Sequence, residues 1–257
     1  MNNVPYQILD LPPSLWAATA VPASVTPPIE GNQQADVAIV GGGFTGLSSA
    51  LHLAELGTNV AVLEAGEPGW GASGRNGGQV IPGLKEDPAE IIERFGTEQG
   101  EKIIKSSGKA ADLVFDLIRR HEMDCDFQQN GWIQAAHTKK MLPILRRRYE
   151  DWAARDADVA WMERDELTQR MGDNRYFGGW IDKRGGGIQP LSFARGLAKA
   201  AQVQGVKIHG RSPVTTLNQD RKGWHLETPS GVLTANKVIL ATNGYTDHLW
   251  PGLAQSI

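Results

Sequence analysis

The pattern of hydrophobic and polar positions between residues 36 and 66 predicts a strand, a helix and a second strand in succession. This stretch has the sequence DVAIVGGGFTGLSSALHLAELGTNVAVLEAG. Residues 37–40 and 60–63 are short, uninterrupted apolar runs, which are typical of strands buried on both faces of a parallel sheet. Residues 47–56 between them have the apolar spacing of an amphipathic helix, and Gly57 is suited to end it.

Beyond this unit the pattern is more mixed. Residues 89–121 have apolar spacing suited to two amphipathic helices. Residues 126–138 predict one strand or a hairpin, and residues 176–189 predict more strand with 185–187 in a turn. Residues 223–244 predict two alternating strands joined at 229–231, followed by a buried strand over 238–241. Helices and strands mixed in this way indicate an α/β protein.

The first thirty residues are expected to form an arm rather than a domain. Its prolines forbid long helices and favour extended backbone; they are Pro5, Pro12, Pro13, Pro22, Pro27 and Pro28. The arm also carries the apolar side chains of Tyr6, Ile8, Leu9, Leu11, Leu15 and Trp16. Because this segment is too apolar for a free linker, we expect it to pack on the body of the protein or on a partner.

Composition and charge exclude several functional classes. The 257 residues are 40 % hydrophobic and 21 % charged with a net charge of −3, so a core can form and no nucleic-acid partner is expected. The basic run 146–148 is followed by acidic residues, and we interpret it as the solvated face of a helix. No apolar run approaches the roughly 18 residues of a membrane span, so no membrane interaction is expected.

The single cysteine and the charges near the N-terminus predict a cytoplasmic protein. Because Cys125 is the one cysteine of the sequence, an internal disulfide cannot form, which fits a reducing compartment. No Lys or Arg precedes Arg75, so the charged start of a signal peptide is missing.

No metal site or hydrolytic nucleophile is predicted. Cys125 lies in the segment HEMDCD, but no second pair of ligands with zinc-like spacing accompanies it. His52 falls on the predicted helix, while His209 and His225 fall in or beside strands, where structural roles are expected. The sequence also lacks H-E-x-x-H and G-x-S-x-G motifs. No residue is assigned as a catalytic acid, base or nucleophile.

The turn after the first strand carries the G-x-G-x-x-G pattern at Gly41, Gly43 and Gly46. In a dinucleotide-binding unit these glycines permit a tight turn, the approach of a pyrophosphate and close packing of helix on strand. Glu64 ends the second strand about 20 residues further on, where it can accept a hydrogen bond from a ribose 2′-OH and would repel a 2′-phosphate. NAD and FAD both satisfy these requirements.

A second glycine-rich stretch, GWGASGRNGGQV, occupies residues 69–80. Glycines lose much conformational freedom on folding, so a cluster of them indicates close approach of the chain to something. Its small residues would present backbone N–H groups and short polar side chains; they include Ala72, Ser73, Asn76, Gly77 and Gly78. Arg75 would offer a planar charged donor. A second glycine-rich segment that can bind the cofactor suits FAD, the longer dinucleotide, better than NAD.

These motifs resemble the N-terminal segment of the D-amino acid oxidase superfamily of FAD-dependent amine oxidoreductases. The motif over 37–66 is shared by many flavoproteins, whereas GASGRNGGQV is more specific. Together with PSLWAATA in the arm, it most resembles the gamma-glutamylputrescine oxidase branch. The resemblance implies an α/β fold in which a Rossmann-like FAD-binding domain is combined with a partial, mixed α+β substrate domain.

The resemblance also implies which residues contact FAD. In the first motif and the following loop these are Gly41, Gly43, Phe44, Thr45, Gly46, Glu64, Ala65, Ala72, Ser73, Arg75, Asn76, Gly77, Gly78 and Gln79. Val214 matches a position that contacts the adenine end through its backbone. A family turn close to the dinucleotide matches Ala241, Thr242, Asn243 and Gly244.

The likeness continues more loosely through GGGIQPLSFARGLAKAAQVQGVKIHGRSPVTTL, with a helix that Pro190 opens and Gly205 closes, then a strand over 206–208. It implies an arm over 1–30, the first part of the FAD-binding domain over 31–124, a partial substrate domain over 125–187 and the second FAD-binding part over 188–257. Four aromatic residues of the middle region are candidates for an amine pocket, but a place in the core or on the surface of a sheet is favoured; they are Trp132, Tyr176, Phe177 and Trp180.

For the complete enzyme the resemblance implies oxidation of a C–N bond of an amine or amino acid. A hydride passes from the substrate's alpha carbon to the flavin, and oxygen is the expected final acceptor. A gamma-glutamylputrescine-like amine is the favoured small-molecule substrate, which implies polyamine catabolism. Family members are longer, so we expect this chain to be truncated at its C-terminus. The alternatives are a non-catalytic dinucleotide-binding fragment and an NAD-dependent dehydrogenase.

Overall fold

The computed structural model describes residues 10–246, 249–250 and 252–253. Its helices are α1 (Leu15–Thr19), α2 (Phe44–Glu55), α3 (Pro88–Phe95), α4 (Thr97–Gly108), α5 (Ala110–Arg120), α6 (Leu142–Ala153), α7 (Arg164–Met171) and α8 (Pro190–Val203). Its strands are β1 (Gly31–Val40), β2 (Val60–Leu63), β3 (Gln79–Val80), β4 (Trp132–Ala135), β5 (Val159–Met162), β6 (Gly179–Asp182), β7 (Gly186–Gly187), β8 (Lys207–His209), β9 (Thr216–Asp220), β10 (Gly223–Glu227) and β11 (Gly231–Leu240). Across the described residues, no helix is long and apolar enough to cross a membrane.

The chain divides into two compact units, one of residues 1–77, 121–125 and 189–257 and one of residues 78–120 and 126–188. This division differs from the boundary expected at residue 124. Residues 78–120 belong to the second unit because helices α3 and α4 bury Ile91 and Ile104 in a core with Leu145, Trp152 and Trp180 of that unit.

The first unit is built on a six-stranded sheet with the order β8-β2-β1-β11-β10-β9. Strands β8, β2, β1 and β11 are parallel, and β10 and β9 continue the sheet antiparallel. The predicted strand-helix-strand unit is confirmed, since Val37 pairs with Val60 in parallel register and α2 connects the two strands. Residues 37–40 and all of β2 are buried, as their uninterrupted apolar runs predicted.

The chain after residue 230 forms one strand, whereas two separate strands were predicted there. Strand β11 runs without a break from Gly231 to Leu240. It is continuous because it pairs with β1 along this whole length, from Gly31 opposite Gly231 to Val40 opposite Leu240. The helix predicted to open at Pro190 is confirmed as α8, which packs against α2.

The described part of the arm, from residue 10 onward, packs on the first unit. The side chain of Gln189 donates a hydrogen bond to the Trp16 carbonyl at 2.8 Å, and the Gln202 side chain donates to the Val25 carbonyl at 2.9 Å. Near the sheet, the Ile29 amide donates to Ser212 Oγ at 2.9 Å. Tyr6, Ile8 and Leu9 of the predicted apolar set lie outside the described residues.

The second unit has three helices where two were predicted over residues 89–121. Helix α3 ends at Gly96, whose φ of +75° is a left-handed conformation that favours glycine, and α4 begins directly after it. Helices α4 and α5 separate at Lys109. The apolar spacing therefore predicted helix correctly, but the break between α3 and α4 depends on the backbone angle of one glycine.

A three-stranded antiparallel sheet with the order β4-β6-β5 completes the second unit. Residues 126–138 contain the single strand β4 rather than a hairpin, and Gly186–Gly187 form strand β7 instead of lying in a turn. Trp132, Phe177 and Trp180 pack in the apolar cluster with α3, α4 and α6, and Tyr176 packs in a second cluster beside Met162. Trp180 therefore belongs to the core of this unit, and the other three aromatic residues are partly buried against it.

The basic run 146–148 lies on α6, but only Arg147 is fully exposed. The Arg146 guanidinium lies 3.8 Å from the ring centroid of Trp161, and Arg148 forms an ion pair with Asp87. The interpretation as a solvated helix face is thus correct for one of the three arginines.

Candidate functional site

A cavity of about 410 Å³ opens in the first unit, where strands β1, β2 and β11 end. Volumes of this order are typical of small-molecule sites. In open α/β sheets, ligands bind outside the carboxyl ends of the parallel strands, and the cavity occupies this position. Of the residues named from the sequence, those that line it are Gly41, Gly43, Phe44, Thr45, Glu64, Ala65, Ala72, Ser73, Val214, Ala241, Thr242 and Asn243.

The first and last glycines of the G-x-G-x-x-G pattern are required by close backbone contacts. Gly41 follows β1 with φ of +107°, and a Cβ atom there would lie 2.7 Å from the Ala241 carbonyl oxygen. A Cβ atom on Gly46 would lie only 2.0 Å from the carbonyl oxygen of Gly41. Helix α2 can therefore start against the end of β1 only because both positions lack a side chain.

Two further glycines of this turn make room for polar side chains that line the cavity. A Cβ atom on Gly43 would lie 2.8 Å from Ser73 Oγ, and one on Gly42 would lie 3.1 to 3.2 Å from atoms of Glu64. Gly42 was not among the predicted site residues, because the pattern leaves its position unspecified. The run of three glycines lets Ser73 and Glu64 approach the turn from the loop and from β2.

Ser73 lies against the N-terminus of α2. Its Oγ accepts a hydrogen bond from the Phe44 amide at 2.9 Å. The first N–H groups of a helix have no partner within the helix and carry its partial positive charge, which favours anions. The Ser73 hydroxyl thus adds a further hydrogen-bond donor beside an anion-binding helix end.

Glu64 holds the glycine turn and the start of the next loop together. Its carboxylate accepts hydrogen bonds from the Gly42 amide at 2.5 Å and from the Gly66 amide at 2.8 Å. Burial raises the pKa of this carboxyl above its usual value, and the N–H groups of Gly66, Gly42 and Ala65 partly offset the rise. A partly buried acceptor directly after β2 is suited to bind the hydroxyl groups of a ribose.

The loop of residues 66–75, called the cradle loop below, borders the cavity with Trp70, Gly71, Ala72 and Ser73. Arg75 donates from Nε to the Trp70 carbonyl at 2.7 Å, and its guanidinium carbon lies 4.1 Å from the Trp70 ring centroid. The Asn76 side chain donates to the carbonyls of Ser73 at 2.9 Å and Ala72 at 3.3 Å. Arg75 and Asn76 thus brace the loop and do not line the cavity.

The other predicted site residues also lie outside the cavity lining. Gly46 is buried between α2 and the turn, and Gly77 and Gly244 have open space where a Cβ atom would be. Gly78 and Gln79 belong to the second unit, where Gln79 pairs with Gly187.

Several lining residues were missed from the sequence. Tyr245 follows the predicted turn 241–244, and its ring forms an edge contact with Trp70 at a centroid distance of 6.1 Å. Trp70 is the one aromatic residue of the quoted glycine-rich stretch, and this is the signal by which it could have been found. The complete set of missed lining residues is Val40, Leu63, Trp70, Gly71, Thr215, Tyr245, Thr246 and Leu249.

The histidines have structural surroundings. His209 Nδ1 lies 3.2 Å from the Pro27 carbonyl, and burial lowers the pKa of this imidazole. His52 Nδ1 lies 2.7 Å from the Ser48 carbonyl one helical turn earlier, and His225 Nε2 lies 3.0 Å from Asp220. Within the described ranges, no three His, Cys, Asp or Glu side chains are grouped so that they could hold a metal ion.

Two curated proteins are similar to most of this chain. Gamma-glutamylputrescine oxidoreductase of Escherichia coli (strain K12) is 35 % identical over 222 residues, which cover 86 % of this chain and 52 % of that protein. The probable oxidoreductase OrdL of Haemophilus influenzae (strain Rd) is 34 % identical over 226 residues, which cover 87 % of this chain and 52 % of that protein. The chain therefore spans about half the length of these relatives.

A solved structure shows the same fold. The crystal structure of glycine oxidase from Geobacillus kaustophilus superposes with a TM-score of 0.71 at 24 % identity and covers 88 % of this chain and 59 % of that chain. The family model described as FAD dependent oxidoreductase (DAO) matches residues 36–257, a range that includes the glycine turn, Glu64 and the cradle loop. The chain belongs to the DAO family of FAD-dependent oxidoreductases.

Proposed function

We propose that this chain holds FAD in the cavity of its first unit and serves in the oxidation of a C–N bond of an amine or amino acid. FAD is the cofactor of the family. The proposal rests on one observation: three features that suit a dinucleotide lie together at one edge of the sheet. These features are the glycine turn after β1, the partly buried carboxylate of Glu64 and the hydroxyl of Ser73 at the start of α2.

The residues present fit the adenosine and pyrophosphate parts of FAD. Glu64 would accept hydrogen bonds from the adenosine ribose. The N-terminus of α2, with the Ser73 hydroxyl beside it, would bind the pyrophosphate. No side chain projects from Gly41 or Gly43 into the space through which the phosphates would approach the backbone.

The chemistry that bound FAD supplies is the acceptance of a hydride from the carbon next to the substrate nitrogen. The chain's own contribution is binding and orientation. Glu64 and Ser73 would hold the ribose and the pyrophosphate of the ADP portion, while the aromatic pair Trp70 and Tyr245 would shield one side of the cavity from water. No described residue of this site is assigned a role in proton transfer.

The proposed substrate is a gamma-glutamylated amine such as gamma-glutamylputrescine. The 35 % identity with the Escherichia coli gamma-glutamylputrescine oxidoreductase supports this choice, as does the similarity of GASGRNGGQV and PSLWAATA to that branch. Oxygen is the proposed final electron acceptor, and the single buried cysteine supports a cytoplasmic location.

Substrate bleaching of bound flavin tests this function. The 257-residue chain loaded with FAD would be mixed without oxygen with gamma-glutamylputrescine, putrescine or glycine, and the visible flavin absorbance followed. We expect gamma-glutamylputrescine to bleach the flavin fastest, and admission of oxygen to restore the absorbance. Faster bleaching by glycine would refute the substrate class. Retained flavin that no amine bleaches would show a non-catalytic dinucleotide-binding chain.

The affinity for FAD is expected to fall as the pH falls through the raised pKa of Glu64. The ionised carboxylate accepts hydrogen bonds from ribose hydroxyls, and protonation removes part of that capacity. Because ribose donors stabilise the ionised form, binding lowers the pKa of Glu64. The affinity therefore rises with pH between the pKa of the complex and the pKa of the free protein, and is constant above the latter. Burial moves this dependence to a higher pH than an exposed glutamate would give. Titrations with FAD at several pH values would measure it, and the dependence should be lost in Glu64→Gln.

A further inference from the structure

The cradle loop is held largely from outside the parallel sheet. Gly69 donates to the Gly42 carbonyl at 2.9 Å, which ties the loop to the glycine turn. On its other side the loop packs on α8 so closely that a Cβ atom on Gly69 would lie 2.7 Å from Ala194 Cβ. A Cβ atom on Gly74 would lie 2.9 Å from Leu191 Cδ1. The position of this loop therefore depends on α8.

Arg195 of α8 joins the cradle loop to the arm. Its side chain is only 11 % exposed. Nη2 donates to Glu67 Oε1 in the loop at 2.7 Å, and Nη1 donates to the Val21 carbonyl in the arm at 2.6 Å. The planar guanidinium is suited to hold two acceptors in fixed directions at once. One side chain thus fixes the loop and the arm relative to each other.

The arm contacts the same loop at a second point. The Trp70 indole nitrogen donates to the Asp10 carbonyl at 2.9 Å, and the Trp70 ring lines the cavity. The arm is itself held on α8, because the Val21 amide donates to Ser192 Oγ at 3.1 Å. Arm, α8 and cradle loop therefore form one connected hydrogen-bonded group, with Arg195 in contact with all three parts.

We propose that Arg195 is a positioning residue for the cofactor: through Glu67 and Val21 it holds the cradle loop, and with it Ser73, in the place that FAD binding requires. This inference rests on the proposed binding of FAD in the cavity. Arg195 does not line the cavity and would act only through the loop. Loss of its two charge-assisted bonds should let the loop open locally while the sheet stays folded.

Two measurements on the 257-residue chain test this role: hydrogen exchange without FAD, and the dissociation constant for FAD. In Arg195→Gln, exchange in residues 66–75 should rise about tenfold while exchange in residues 37–40 stays unchanged, and FAD should bind about tenfold more weakly. Glu67→Gln should have a similar but smaller effect. Arg195→Lys should bind FAD more tightly than Arg195→Gln but less tightly than wild type. The lysine ammonium keeps the positive charge but lacks the planar guanidinium that holds two acceptors in fixed directions.

Arg155→Gln is the matched control. Arg155 also bridges a carboxylate and a carbonyl, donating to Glu101 at 3.0 Å and to the Asp151 carbonyl at 2.8 Å, but it lies in the second unit. It should leave both loop exchange and FAD affinity unchanged.

Three results would overturn the inference. If exchange in Arg195→Gln rises equally in residues 37–40, the residue has a general structural role. If loop exchange rises but FAD affinity does not change, the loop position is irrelevant to the cofactor. If neither loop exchange nor FAD affinity changes, the hydrogen bonds of Arg195 do not hold the loop. Failure of the proposed function is separate, since it would appear as a wild-type chain that does not bind FAD.

Discussion

Replacing Gly46 by alanine is expected to lower the free energy of unfolding by about 2 to 3 kcal/mol and to remove measurable FAD binding. The added Cβ atom would lie 2.0 Å from the Gly41 carbonyl oxygen, so the backbone of either α2 or the turn must move. Alanine gains about 1 kcal/mol in helix propensity over glycine, which offsets only part of this cost. Denaturant unfolding followed by circular dichroism would measure the difference.

Gly244→Ala is the control for the Gly46 substitution. Gly244 lies in the turn after β11, and a Cβ atom there would have no other atom within 4 Å. Its replacement should therefore leave the free energy of unfolding within about 0.5 kcal/mol of wild type. An unfolding midpoint for Gly46→Ala equal to that of wild type would contradict the close packing of α2 on the glycine turn.

Replacing Glu64 by glutamine is expected to weaken FAD binding by about 10- to 150-fold, the equivalent of about 1.5 to 3 kcal/mol for hydrogen bonds to a charged group. The carboxylate accepts from both Gly42 and Gly66 and has further acceptor capacity for ribose. An amide has one acceptor oxygen, so one backbone N–H or the ribose must lose its partner. FAD titration followed by quenching of flavin fluorescence would measure the loss.

The stability of Glu64→Gln separates binding from folding. Burial raises the pKa of Glu64, which means that its charge is held at a cost to the folded state at neutral pH. The neutral amide removes this cost while it loses one backbone hydrogen bond, so the unfolding midpoint should stay near that of wild type. Glu98→Gln, an exposed change on α4, should alter neither property. Equal FAD affinity in Glu64→Gln and wild type would disprove the role of this carboxylate.

The sequence was most informative where structure depends on neighbouring residues. The apolar runs of β1 and β2, the spacing of α2 and the glycines at 41, 43 and 46 are all local features, and each is found where it was predicted. Glu64 directly follows β2 and lines the cavity, because the direction of a strand fixes where the chain leaves the sheet.

Features that depend on distant residues were not predictable from local pattern. The single strand β11 is continuous because it pairs with β1, about two hundred residues earlier in the chain. Tyr245 lies at the cavity in contact with Trp70. Arg195 binds Glu67 and Val21, and these three residues belong to three separate segments of the chain. The break between α3 and α4 depends on one left-handed glycine within an otherwise helical pattern.

Visible absorption of the purified 257-residue chain tests directly whether the cavity at the carboxyl edge of the sheet holds FAD. The spectrum would be recorded after addition of FAD and removal of the excess. We expect flavin bands that stay with wild-type protein, are reduced in Glu64→Gln and are not displaced by added NAD. A cooperatively folded but colourless wild-type protein, or flavin bands equally strong in Glu64→Gln, would contradict it.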